Sequence, residues 1–265
     1  MNSRASNEKP MKLRIHHLLP GWLALASVSH AASTFQETFP HPGGGNISHT
    51  DVGWTAVYGS SATDGSANTT NGLDGGFVVS NLGAGYGAKT TTSPVTYGLA
   101  YTTEVYSEED PITTADITSI SFLARNSAAT DRYRIVLAID VAGTTEWYAS
   151  NAFFTTTAGA WADGAQLQQL PFTTAASDWR NMTVTTSALS VSDSTLGAAL
   201  PSGTLIAAGL FLSGNSGTAG TSGGAHANTM RYDNFTVNVV PEPSAAMLGV
   251  MGTSLLAFRR KQRPS

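Results

Sequence analysis

Arg132-Tyr133-Arg134-Ile135-Val136-Leu137-Ala138-Ile139-Asp140 is the stretch on which the fold turns. Its odd positions, Tyr133, Ile135, Leu137 and Ile139, recur with period two, so a strand places them on one face. Ile117-Thr118-Ser119-Ile120-Ser121-Phe122 shows the same habit through Ile120 and Phe122. Similar β-rich runs bounded by Gly, Asn, Asp, Ser and Pro lie at 54–58, 77–81, 95–106, 145–154, 167–172, 181–186, 205–212 and 230–239. The runs at 117–124 and 133–141 complete a set of about ten predicted strands, and no long stretch between residues 33 and 240 carries helical spacing. An all-β, antiparallel β-sandwich follows, and the strand number favours a jelly roll over a seven-stranded immunoglobulin-like domain.

Composition narrows the function classes. The chain has 265 residues, 12% of them charged, with 27 glycines and no cysteine. A disulfide scaffold, a Cys-ligated metal site and a thiol nucleophile are therefore excluded. The formal net charge of −4 argues against nucleic acid. Eight of the fourteen basic residues lie near the two ends, so residues 33–240 keep six basic against sixteen acidic residues, a net of −10. Neutral glycans or cations are the partners such a domain suits. Gly/Ser/Thr/Asn-rich segments at 60–76 and 214–228 read as long exposed connections.

Both ends read as addresses. Lys12 and Arg14 precede an apolar run from Leu18 to Val28 and the small-x-small triplet Ser29-His30-Ala31. That is a secretory signal peptide over residues 1–31, cleaved after Ala31, with Met11 as an alternative start. At the other end, Val240-Pro241-Glu242-Pro243-Ser244 precedes the apolar segment Ala245–Phe258, and Arg259, Arg260, Lys261 and Arg263 follow. Residues 241–265 resemble the PEP-CTERM sorting signal of Gram-negative bacteria that make exopolysaccharide, with triplet, apolar segment and basic cluster in order. The resemblance implies an exosortase-type membrane enzyme that cuts near Pro241, Glu242 and Pro243, and Arg259 and Arg260 as the basic stop. Fifteen residues separate Pro243 from Arg259, about 22 Å as a helix against roughly 30 Å of hydrocarbon. The short transmembrane helix therefore reads as a transient inner-membrane tail. The implied partners are the secretion machinery, the processing enzyme, the membrane before processing, and exopolysaccharide.

The span 33–240 also looks like the jelly-roll ectodomains of that family, which are similar in shape to lectin-like carbohydrate-binding modules. It opens on Phe35-Gln36-Glu37-Thr38-Phe39 and closes on Arg231-Tyr232-Asp233-Asn234-Phe235. The resemblance implies that the first and last strands pair, bringing Glu37 and Asp233 to a structural calcium ion. Calcium takes six to eight oxygen ligands, so backbone carbonyls would complete that set. The acidic run Glu108-Glu109-Asp110 reads as a solvated loop.

Enzyme signatures are sparse. Gly220-Thr221-Ser222-Gly223-Gly224 matches a nucleophile elbow in letters only, because no helix follows and the acid and histidine order is wrong. Glu104 and Glu146 are a candidate glycosidase pair if they face each other across a cleft. The histidines show no metal-binding spacing. Aromatic residues are the remaining binding signal. Trp54 and Trp147 read as core, and Trp147 and Tyr148 should point to opposite sheet faces. Trp161 and Trp179, flanked by Gly, Ala and Asp, are the expected exposed platforms for sugar rings. Three readings follow in order: a structural or adhesive matrix protein, a calcium-dependent carbohydrate-binding module, and a glycan-active hydrolase.

Overall fold

The computed structural model describes residues 34–39, 45–59, 68–70, 77–82, 86–90, 97–126, 131–185, 188–213 and 230–240. The signal peptide with Ala31, the sorting segment from Pro241 to Ser265, the elbow at Ser222 and most of the two Gly-rich segments lie outside them. Among the described residues no helix is long and apolar enough to cross a membrane.

The protein is all-β and antiparallel, in a sandwich-like pair of sheets. The strands are β1 Phe35–Glu37, β2 Trp54–Gly59, β3 Asn68–Thr70, β4 Phe77–Asn81, β5 Tyr86–Thr90, β6 Tyr97–Thr102 and β7 Ile117–Asn126. They continue as β8 Arg132–Val141, β9 Thr144–Ser150, β10 Gln166–Pro171, β11 Trp179–Val184, β12 Leu189–Val191, β13 Thr204–Ser213 and β14 Met230–Val239. Each of the ten predicted runs is a strand. The added β1, β3, β5 and β12 are only three to five residues long, too short for alternation to reveal.

One sheet runs β10-β7-β14-β5-β4, with β1 also on β14; the other runs β12-β11-β9-β8-β13-β6-β2-β3. Between them lies the main core, where Tyr133, Ile135, Leu137 and Ile139 of β8 meet Ile120, Phe122, Tyr232 and Phe235 of the smaller sheet. The period-two reading of β8 thus placed its inward face correctly.

That strand is not half-buried, however. Val136 and Ala138, on the opposite face, are buried as well. They belong to a second apolar face, where Val136 packs with Val57, Leu99, Ala149, Met182, Leu189, Val191 and Phe211. The smaller sheet does not cover this face. The eight-stranded sheet curls until β12 meets β2, six places along the strand order, and so supplies its own cover. Continuous apolar runs such as Ile135–Ile139 and Leu205–Leu212 are what a strand buried on both sides requires.

Close backbone approach makes this curl possible at Gly209 in β13. A Cβ there would stand 2.1 Å from the Ala100 carbonyl oxygen and 2.6 Å from the Tyr101 Cα, so backbone would have to move. Gly209→Ala should lower unfolding free energy by about 2–3 kcal/mol in urea denaturation. At Gly143, positive φ is the sole obstacle, since nothing lies within 4 Å. There the same change should cost only about 1 kcal/mol.

Candidate functional site

The first and last strands pair in antiparallel register, with Phe35 opposite Val237, Gln36 opposite Thr236 and Glu37 opposite Phe235. On the same edge of β14, Arg231 and Tyr232 pair with β5 instead. The handover falls at Asp233 and Asn234. There the register with β7 slips between Asp233 and Thr236, and Asn234 takes a left-handed φ of 49°. This is a β-bulge: the inward parity switches from Met230 and Tyr232 to Phe235, Val237 and Val239. At the bulge the Asp233 Cβ lies 3.3 Å from the position a Gly87 Cβ would take in β5.

Glu37 reaches the same seam from the other strand and is only 8% exposed. Its Oε1 accepts the Phe39 backbone N–H at 2.5 Å, and its Oε2 accepts the Trp54 indole N–H at 3.4 Å. Phe39 takes a left-handed φ of 46°. Ring centroids of Phe39 and Trp54 lie 5.0 Å apart, Phe39 and Tyr232 5.6 Å, and Trp54 and Phe235 5.6 Å. Each such pair contributes about 0.5–1.5 kcal/mol beyond area burial, so the acid sits on a rigid aromatic floor. His49 is hydrogen-bonded through Nε2 to the Tyr232 hydroxyl at 3.0 Å.

A third carboxylate, Glu104, packs against Gly53, where a Cβ would stand 2.0 Å from its Oε1. Gly53 has φ 73°, which only glycine adopts without strain. Burial raises the Glu37 pKa, partly opposed by its hydrogen bonds, and the negative charge of Glu104 raises it further. Burial likewise lifts Asp233 to about 6, opposed by the Asn234 N–H and reinforced by Glu37. The two strand-end acids named from the sequence are thus brought within electrostatic reach of one another. Among the described residues no group of three His, Cys, Asp or Glu side chains forms a metal-ligand set, so a cation here would depend on backbone oxygens for most of its shell.

The expected aromatic platforms are corrected. Trp161 is 6% exposed and Trp179 fully buried. The Trp179 indole donates to the Thr173 carbonyl at 2.7 Å and its ring packs on Phe172 at 5.6 Å. Small, polar neighbours marked these tryptophans as loop-adjacent, but a large apolar ring gains more by folding back into the sandwich than by facing water. Trp147 and Tyr148 do point to opposite faces: Tyr148 enters the main core, while Trp147 lies half-buried on the curled face. There Trp147 meets Tyr101 edge-on at 5.0 Å. Flanking composition does not mark this partly exposed pair, because two residues from strands three places apart meet only through the curl of the sheet.

Glu104 and Glu146 come from segments that are not neighbours in the sheet. Glu104 lies beyond the end of β6, Glu146 lies in β9, and β13 and β8 stand between those strands. Glu104 packs against Gly53 and adds its charge to the Glu37 seam. Glu146 instead accepts the Tyr148 hydroxyl. Comparison with known proteins gives no matching family model, no matching curated protein and no matching solved structure.

Because the folded protein holds the Asp233 proton more tightly than the unfolded chain does, stability is greatest below the ordinary aspartate pKa of 3.8 and is lost as pH rises toward about 6. In calcium-free buffer, Asp233→Asn should lose less melting temperature between about pH 4 and pH 7 than the wild type. An unchanged or steeper loss would show that the seam does not strain the carboxylate.

Proposed function

We propose that the chain is an exported, envelope-sorted protein of the cell surface or extracellular matrix, non-enzymatic, with a structural or adhesive role alongside exopolysaccharide. In this reading residues 1–31 direct secretion, residues 33–240 form a jelly-roll ectodomain, and residues 241–265 are a PEP-CTERM tail that anchors briefly in the inner membrane. An exosortase-type enzyme cuts near Pro241, Glu242 and Pro243. The observation that carries the reading is where the sandwich ends. The Val240 N–H donates to the Asp116 carbonyl at 2.8 Å, and its side chain is 50% exposed. The last strand thus ends before the triplet begins in the sequence, as a cut there that spares β14 requires.

Fractionation of cells that make the full chain tests this. The wild type should lose its tail and appear at the cell surface or in the medium, whereas Pro241→Ala/Glu242→Ala should accumulate uncut in the inner membrane. Equal release of both would overturn the sorting reading.

A calcium-dependent carbohydrate-binding module is the second reading, favoured by the convergence of Glu37 and Asp233 at the β1–β14 seam. Those two carboxylates, with nearby carbonyls, would hold the ion. Bound calcium supplies positive charge that relieves the repulsion between them and ties the first strand to the last. The half-exposed Tyr101–Trp147 pair on the curled sheet is the face such a module would offer to a sugar ring. Calcium should then raise the melting temperature at neutral pH by a few degrees through linkage, and Glu37→Gln/Asp233→Asn should abolish the rise. Absence of any shift at millimolar calcium would remove this reading.

A further inference from the structure

The six basic residues between positions 33 and 240 are Lys89, Arg125, Arg132, Arg134, Arg180 and Arg231. Strand register sorts them into two groups. Arg231 stands opposite Lys89 on β5 and opposite Arg125 on β7, in the smaller sheet. Arg125 is engaged there as a clamp, with Nη1 donating to Thr157 Oγ1 at 3.1 Å and to the Gly164 carbonyl at 3.2 Å.

The other three gather at one end of the curled face of the larger sheet. Arg132 and Arg134 alternate with inward Tyr133 and Ile135 on β8. Arg180 on β11 stands opposite Ala149, which in turn stands opposite Val136, so all three belong to the same face. Arg134 is 2% exposed and Arg180 is also buried. Arg134 Nη1 donates to the carbonyls of Ser150 and Asn151, the latter at 2.7 Å. Arg180 Nε donates to Asn151 Oδ1 at 2.7 Å, and its Nη1 to the carbonyls of Ser192, at 3.0 Å, and Asp193. Every one of these acceptors is neutral, and Asp193 contributes its backbone oxygen. The Phe153 ring is shared by the guanidinium groups of Arg134, at 3.7 Å from its centroid, and Arg132, at 4.6 Å.

Two features make this cluster incomplete. Arg134 Nη2 is fully enclosed and has no hydrogen-bond partner among the described residues. Burial, then the charges of Arg180 and Arg132, holds the Arg134 pKa down to about 10, so it stays cationic at neutral pH. A buried cation beside two like charges, with no counter-charge among the described residues, is among the costliest arrangements a protein interior holds. Arginine's planar fork is also the side chain best shaped to receive an oxyanion. Carbonyl tethers fix Arg134 and Arg180, while half-exposed Arg132 carries the cluster to the surface.

We propose that Arg132, Arg134 and Arg180 form an oxyanion-binding site, for a carboxylate, sulfate or phosphate group. It is a local exception to the domain's net charge of −10 and supplies the means to hold an anionic group that bulk charge disfavours. The site is distinct from Glu37 and Asp233 and does not depend on the sorting or calcium readings.

Calorimetric titration of the full chain with oligogalacturonate, sodium sulfate and sodium phosphate, against sodium chloride of equal ionic strength, tests it. Saturable binding is expected for at least one of them, with a matching rise in melting temperature. Tighter binding of the oligouronate assigns the anion to an acidic glycan; equal or tighter binding of the inorganic ions assigns it to a free ion. Arg132→Gln, on the half-exposed member, should keep the wild-type circular dichroism spectrum and lose affinity about tenfold, as does Arg180→Gln. No saturable binding beyond the chloride control would overturn the site, as would unchanged affinity in both folded variants.

Discussion

Strand β8 is apolar on both faces, and the architecture answers that demand. Between Tyr133 and Ile139 every side chain is buried. One face is covered by the smaller sheet through Ile120, Phe122 and Phe235. The other has no second sheet to cover it, so the larger sheet bends round until β12 meets β2. Leu99, Val136 and Phe211 then lose water as completely as residues of the main core do. The same curl gives this face two different ends. Toward one, Tyr101 and Trp147 remain half-exposed; toward the other, Arg132, Arg134 and Arg180 crowd together. Both features depend on an apolar middle that fixes the strands carrying them.

Strand β14 carries the second constraint. It pairs with β7 along one edge and divides its other edge between β5 and β1. The handover from one partner to the other falls at the bulge of Asp233 and Asn234. The carboxylates sit where the ladder is interrupted, and burial first, then neighbouring negative charge, raises their proton affinity. Such a seam is strained when both acids are charged, and a proton or a cation relieves it. Its floor of Phe39, Trp54, Tyr232 and Phe235 keeps the strain from being released by movement.

Much of the fold was legible because long strands carry their signal locally. The ten β-rich runs from Trp54–Tyr58 to Met230–Val239 needed only alternation and bounding turn residues. In β14 even the bulge is visible, as inward positions shift from Met230 and Tyr232 to Phe235, Val237 and Val239. The short strands β1, β3, β5 and β12 exist because a neighbour offers hydrogen bonds, and three to five residues carry no period of their own. Glu37 and Asp233 were named through a resemblance. Their approach within the fold follows from β1 pairing with β14, across almost the whole sequence.

Exposure was the quantity least readable from residues. Trp161 and Trp179 stand among small polar neighbours, yet the cost of hydrating an indole folds both inward. Arg134 is written into an apolar run, and the curl of the sheet encloses it. The sequence by itself determined an all-β chain, the inward side of its long strands and an acidic balance, because each depends on neighbours along the chain. Which acids meet, which aromatics face water and which arginines share one buried end were decided only by the tertiary structure. Those properties depend on strand order and sheet curvature, which bring together residues that local sequence patterns do not relate.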